Sequence, residues 1–252
     1  MILKDRVAIV TGAGSGIGQG GAMIMAREGA HVAVVDLNPE RAQETVDRIE
    51  AAGGSGEAAA VDVTNDQAMA ALVADVQGRF GRIDILHNHA GVQVEGTLEG
   101  VAIEGFDKSW DVNVRAHFIA ARLVAPIMRA QKKGVILNTS SSSGIFYDRE
   151  MIAYTTSKHA VAAMTRQIAA DYAQYNIRVN ALCPGWVDTP FNEPFIRQMG
   201  GREAIEAYIA EKVPMGRWAS VEEVAETILF LVSDRSSYIT GQAIVVDGGE
   251  TI

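Results

Sequence analysis

Residues 7–18 read VAIVTGAGSGIG: a short apolar run, Val7–Val10, passes at Thr11 into Gly12-Ala13-Gly14-Ser15-Gly16-Ile17-Gly18. A continuous run of β-branched residues fits a strand covered on both faces. The glycines fit a tight turn into a helix, with backbone N–H groups free to approach a phosphate at the positive helix end. Their spacing, Gly12, Gly16 and Gly18, departs from the strict G-x-G-x-x-G dinucleotide fingerprint. The setting between a strand and an apolar-faced helix is what strengthens the reading. Gly12, Ser15, Gly16, Ile17 and Gly18 are therefore candidate cofactor contacts.

Working outward, the same alternation continues. Val32–Val35, Ala58–Val61, Ile83–Leu86, Val135–Leu137, Ile177–Leu182 and Ile244–Val246 read as further strands, making seven with the first. Helical patterns fall at about 17–28, 40–52, 66–79, 104–130, 153–174 and 221–232. Such alternation predicts an α/β fold: a doubly wound parallel sheet with helices on both faces. No Pro/Ser-rich linker divides residues 1–252, so a single domain is expected. Residues 186–218 break the rhythm, holding three of the six prolines, two tryptophans and no strand. An insertion that long reads as a lid over a substrate.

The 252 residues are 48% hydrophobic and 21% charged, as in a soluble globular chain with a substantial core. Twenty-two Lys and Arg against 31 Asp and Glu leave a net charge of −9, which argues against nucleic acid as a partner. One cysteine, Cys183, excludes an internal disulfide and suits a reducing compartment. No apolar stretch is long enough for a signal peptide or a membrane span. A cytoplasmic location is the expectation.

Asp36 ends the second strand, 18 residues after Gly18, where a carboxylate, with Leu37 beside it, can bond both hydroxyls of an adenosine ribose. A 2′-phosphate there would meet the carboxylate at ~4 Å, a repulsion of about 4 kcal/mol at an effective dielectric near 20. No Arg or Lys lies in the glycine turn or in residues 36–40 to offset it. NAD is expected over NADP, with Asn38 free to cap the next helix instead. Asp62 and Val63 end the third strand, within reach of an adenine amino group. Asn88-His89-Ala90-Gly91 ends the fourth, where small residues let a cofactor cross the backbone; Asn88, Ala90 and Gly91 are candidates. Tyr154 and Lys158 lie four apart on one helical face. An ammonium there would lower a phenol pKa of about 10 and make Tyr154 a general base. Both are also candidate cofactor contacts. His87 and His89 share a strand face, but two ligands without a third make a poor metal site, and no metal is expected.

TGAGSGIG, Asp62, NHAG, Asn113 in WDVNV, NTSSSSG, YTTSK, CPGWVDTP and VVDGG follow in order. Jointly they resemble the compact single-domain branch of the short-chain dehydrogenase/reductase family, over about residues 4–250. The resemblance implies a Rossmann-type sheet in the order 3-2-1-4-5-6-7, a homotetramer, and hydride transfer between a nicotinamide and an alcohol or carbonyl carbon. It implies Tyr154 as acid/base, Lys158 as the ribose-binding tuner and Asn113 as holder of a relay water. Family spacing, three before a glycine and thirteen before the tyrosine, selects Ser141 among four consecutive serines. Pro184, Gly185, Val187 and Thr189 resemble the loop that cradles the nicotinamide, and Asp247-Gly248-Gly249 resembles the C-terminal tight turn. His89 stands where the family's NNAG carries its second Asn, a residue that mainly braces the sheet.

Gln93, Ser143, Tyr147, Arg149 and Trp186 are candidate substrate contacts. Arg149 could pair a substrate carboxylate, or simply a neighbouring Asp148 or Glu150 at the surface. The mixture of polar and aromatic flanks fits a polyol, sugar or hydroxy acid. The leading expectation is an NAD-dependent dehydrogenase of a secondary alcohol. The alternatives are a 3-oxoacyl thioester reductase using NADPH and a non-catalytic dinucleotide sensor on the same fold.

Overall fold

Strand and helix alternate along the chain in the computed structural model, which describes all of residues 1–252. In order they are β1 (Val7–Thr11), α1 (Gly16–Arg27), β2 (His31–Asp36), α2 (Pro39–Ala51), β3 (Ser55–Ala60), α3 (Asp66–Phe80) and β4 (Ile85–Asn88). There follow α4 (Ile103–Trp110), α5 (Ala116–Gln131), β5 (Gly134–Thr139), α6 (Ile152–Tyr172) and β6 (Ile177–Pro184). The chain closes with α7 (Glu193–Gln198), α8 (Arg202–Lys212), α9 (Val221–Val232) and β7 (Ala243–Val246). The seven strands form one sheet in the order β3-β2-β1-β4-β5-β6-β7, every pairing parallel.

The central strands are apolar on both sides because both faces are covered. One core packs α1, α2 and α9 on the sheet through Met25, Val46 and Ile228. The other packs α3, α5 and α6 through Val73, Val124 and Ala169. The chain leaves β1 toward β2 and β3, then returns to β4 on the other side. This reversal opens a crevice at the carboxyl ends of β1 and β4, where such sheets take their ligands. No helix is long and apolar enough to cross a membrane.

Three sequence expectations change. The third strand runs Ser55–Ala60 rather than Ala58–Val61, so Asp62 lies in the turn beyond it. The helix expected over 104–130 is interrupted by a π-helical turn, Asp111–Arg115, where the Ala116 N–H donates five residues back to the Asp111 carbonyl. Residues 186–218 are largely helical, because α7 and α8 bury Ile196, Ile205, Ile209 and Val213 in a small core of their own.

Candidate active site

The glycine turn is shaped by atoms it lacks. Gly12 has φ +65°, and a Cβ there would stand 2.8 Å from the Ala90 Cα. A Cβ on Gly18 would stand 2.2 Å from the Gly12 carbonyl oxygen. Ser15 is the N-cap of α1 but its side chain makes no capping bond. The first N–H groups of α1 therefore face the crevice uncapped, as an anion site requires. Asp36 also lines the crevice. Its Oδ2 accepts the Gly14 N–H at 2.9 Å and its Oδ1 the Asn38 N–H at 3.0 Å. Asn38 caps α2, accepting the Arg41 N–H at 2.8 Å. Leu37 is 72% exposed and outside the lining. Arg41, one residue beyond the 36–40 stretch, was not flagged by the sequence, yet its Cβ would be 2.8 Å from a Cβ on Gly14.

Asp62 is exposed and bonds its own loop, accepting the Thr64 N–H at 2.9 Å and its hydroxyl at 2.7 Å. Neither it nor Val63 lines the crevice. Asn88 is buried beneath the strand ends, its Nδ2 donating to the His117 carbonyl at 3.1 Å and to Asn138 Oδ1 at 2.9 Å. It braces β4 against β5, while Ala90 and Gly91 line the crevice. His89 lines it too. Its Nδ1 lies 3.1 Å from Thr139 Oγ1, and His87 Nε2 lies 3.0 Å from that same oxygen. The hydroxyl has one proton to give, so at most one ring accepts from it and at least one donates to it. His87 Nδ1 is buried without a partner. Leaving a lone pair there is less costly than leaving an N–H, so His87 donates from Nε2 to Thr139. Burial, aided by the Lys158 charge, pushes His89 down to about 3. No three His, Cys, Asp or Glu side chains gather as a metal site.

Tyr154 and Lys158 sit one turn apart on α6 and line the crevice with Ser141. Lys158 Nζ donates to the Thr139 carbonyl at 3.0 Å and lies 5.6 Å from the Tyr154 ring centroid. Burial pushes the phenol up to about 12, although the neighbouring Ser141 hydroxyl draws it down. Burial also pushes Lys158 down to about 8. The lowered phenol expected from the Tyr-Lys spacing is therefore not a property of the chain alone: both groups are desolvated, and desolvation opposes each charge. Ser141 Oγ accepts the Ser143 N–H at 3.2 Å. Ser140 points elsewhere, donating to the Lys158 carbonyl at 2.8 Å. Asn113, in the π turn, is fully buried outside the lining. Its Oδ1 accepts the Val92 N–H at 2.8 Å, and its Nδ2 donates to the Val92 carbonyl and to Ser157 Oγ, each at 2.9 Å. Its side chain thus clamps the loop after β4.

Pro184, Gly185, Trp186, Val187 and Thr189 line the opposite wall. The Val187 carbonyl is taken by Asn192 Nδ2 at 2.7 Å, while its N–H has no partner within the chain. Of the expected substrate contacts, Gln93, Ser143 and Trp186 line the crevice. Tyr147 and Arg149 do not. Tyr147 is 71% exposed and stacked on Phe146, and Arg149 is exposed with neither Asp148 nor Glu150 as an ion-pair partner. The loop instead sets Asp148, an exposed residue, at the edge of the crevice, where its carboxylate accepts the Ser143 hydroxyl. Glu250 reaches the same end from the C-terminal turn and accepts Trp186 Nε1–H at 2.7 Å. No motif flags Glu250, since only the packing of that turn against Gly185 brings it there.

The family model described as enoyl-(acyl carrier protein) reductase matches residues 12–251. A 3-oxoacyl-[acyl-carrier-protein] reductase of Thermotoga maritima is 37% identical over 252 residues, covering 100% of both chains. A cyclohexanol dehydrogenase of Acinetobacter sp. is 36% identical over 249 residues, 98% of this chain and 96% of that one. A 7α-hydroxysteroid dehydrogenase solved with NADH and 7-oxo glycochenodeoxycholic acid superposes with a TM-score of 0.91 at 34% identity, covering 98% of this chain and 94% of that one.

Proposed function

The chain belongs to the short-chain dehydrogenase/reductase family, oxidoreductases of alcohol and ketone groups that bind a nicotinamide cofactor, and on that premise we propose an NAD-dependent dehydrogenase. Its substrate on this reading is a small polar molecule, a polyol, sugar or hydroxy acid, oxidised at a secondary hydroxyl. The observation that carries the reading is that Tyr154, Lys158 and Ser141 line the same crevice as the glycine turn and Asp36.

The residues fit a dinucleotide. The uncapped start of α1 suits a pyrophosphate, the close approaches at Gly12 and Gly18 leave room for nothing bulkier than backbone, and the Val187 N–H is free for a carboxamide. Asp36, held by two backbone N–H groups, would take the adenosine ribose hydroxyls and repel a phosphate there. When bound, the nicotinamide supplies the hydride acceptor. Ser141 Oγ would hold the substrate oxygen, and Tyr154 Oη would exchange its proton. Lys158, the one Lys or Arg of the lining, is the charge an ionised phenol would lean on. Asn113 serves by position, fixing the loop that carries Gly91 beside Lys158.

Tyr154→Phe tests the assignment. Oxidation should fall by at least about 10²-fold, the usual worth of a positioned acid/base, while NAD affinity measured by fluorescence titration holds. Turnover near that of the parent would refute the role. For the cofactor, Asp36→Ala combined with Leu37→Arg should move the ratio of kcat/KM values toward NADP. An unchanged ratio would show that Asp36 does not read the ribose.

A further inference from the structure

We propose that Asp148 and Glu250 select the substrate, and that it is a polyol whose second hydroxyl, next to the reacting one, donates to these carboxylates. The inference rests on the dehydrogenase reading above and narrows its substrate class.

The charged side chains lining the crevice are Asp36, Asp148, Lys158 and Glu250. Asp36 belongs to the glycine-turn end, and Lys158 is bound to the Thr139 carbonyl. The substrate end is left with two carboxylates and no cation. The residue proposed from sequence to pair a substrate carboxylate, Arg149, lies outside it. Glu250 Oε1 accepts from Trp186, but its Oε2 is buried with no partner. Gln93 Oε1 is also buried with no partner. Gln93 and Glu250 are the two lining residues that carry a buried side-chain atom without a partner, and both atoms are acceptors. Buried acceptors call for a donor, which a hydroxyl supplies and a thioester carbonyl does not. A substrate carboxylate would add a third negative charge to a site where burial, with Asp148 and Asp247 nearby, already pushes Glu250 up. An ammonium would meet the same carboxylates but loses more hydration than a hydroxyl on entering the crevice, and the aminocyclohexanol below measures that difference.

A matched set on one ring decides it: cyclohexanol, a vicinal cyclohexanediol, a vicinal aminocyclohexanol and a vicinal hydroxycyclohexanecarboxylate. Each is measured for kcat/KM with NAD and with NADP, and separately for binding to the NAD-saturated protein by thermal-shift titration. The diol should lead cyclohexanol and the carboxylate at least tenfold in both readouts. Glu250→Gln and Asp148→Asn should each shrink the diol-to-carboxylate ratio at least fivefold. A carboxylate that equals the diol, an aminocyclohexanol that surpasses it, or ratios unmoved in both variants would overturn the proposal. If no alcohol is oxidised with either nucleotide, the dehydrogenase reading falls, while the binding order still decides the role of the two carboxylates.

Discussion

Single atoms set the limits at Gly18. A Cβ there would meet the Gly12 carbonyl oxygen at 2.2 Å and His89 Cδ2 at 2.6 Å, so any other residue must push the turn open. Gly18→Ala should lower stability by about 1–3 kcal/mol, as overpacking does. It should also weaken NAD binding at least tenfold by fluorescence titration. Parent-like affinity would mean that the turn does not hold the cofactor. His87, His89 and His117 carry a different consequence. Burial holds His87 well below its ordinary value and pushes His89 and His117 down to about 3. The unfolded chain takes up a proton at each ring below about pH 6.5, while the folded chain resists until about 3. Acid therefore favours unfolding in that window, by about 1.4 kcal/mol per pH unit per ring. Urea midpoints should fall from pH 7 to pH 5, and less steeply in His117→Gln. An identical slope in that variant would show that the ring is not held neutral.

At the scale of elements, periodicity reports a helix but not its faults. Residues 104–130 read as one amphipathic run, yet Asn113 draws the chain into a π turn by bonding both backbone groups of Val92. That partner is 21 residues away, beyond any helical window. The insertion at 186–218 hides its helices for a related reason. α7 has six residues and α8 eleven, too short to hold without the core they share. α9 is the opposite case. Ser220 accepts the Glu223 N–H while the Glu223 carboxylate accepts the Ser220 N–H, a capping box legible in Ser-x-x-Glu. Ser220→Ala should cost about 1 kcal/mol in denaturant unfolding. A loss under a few tenths would mean that packing of α9 on α1 alone starts the helix.

For the whole molecule, the crevice exists because β1 and β4 are neighbours, while its substrate end is assembled from the loop after β5, the segment before α7 and the C-terminal turn. Apolar side chains also remain uncovered on α4 and α5. Ile103 is 71% exposed, Phe118 48%, and Trp110, stacked on Phe106, 41%. An exposed apolar patch of this kind marks an interaction surface, and an assembly such as the homotetramer that the resemblance implies is tested there. Light scattering should give a mass above one chain, and Trp110→Glu with Phe118→Glu should move it toward the monomer; a parent protein that is monomeric at micromolar concentration would remove that assembly.

The sequence by itself determined the α/β class, the glycine turn and the Tyr154–Lys158 face, since each depends on spacing and local sterics within a few residues. Tertiary structure alone decided that Asn88 is spent bracing β5, that Asp62 lies beyond the third strand and bonds Thr64, and that Asp148 rather than Arg149 lines the crevice. It also decided that Glu250 arrives from the far end of the chain and that burial pushes the phenol up. Orientation and desolvation arise from contacts between segments distant in sequence, and no local pattern carries them.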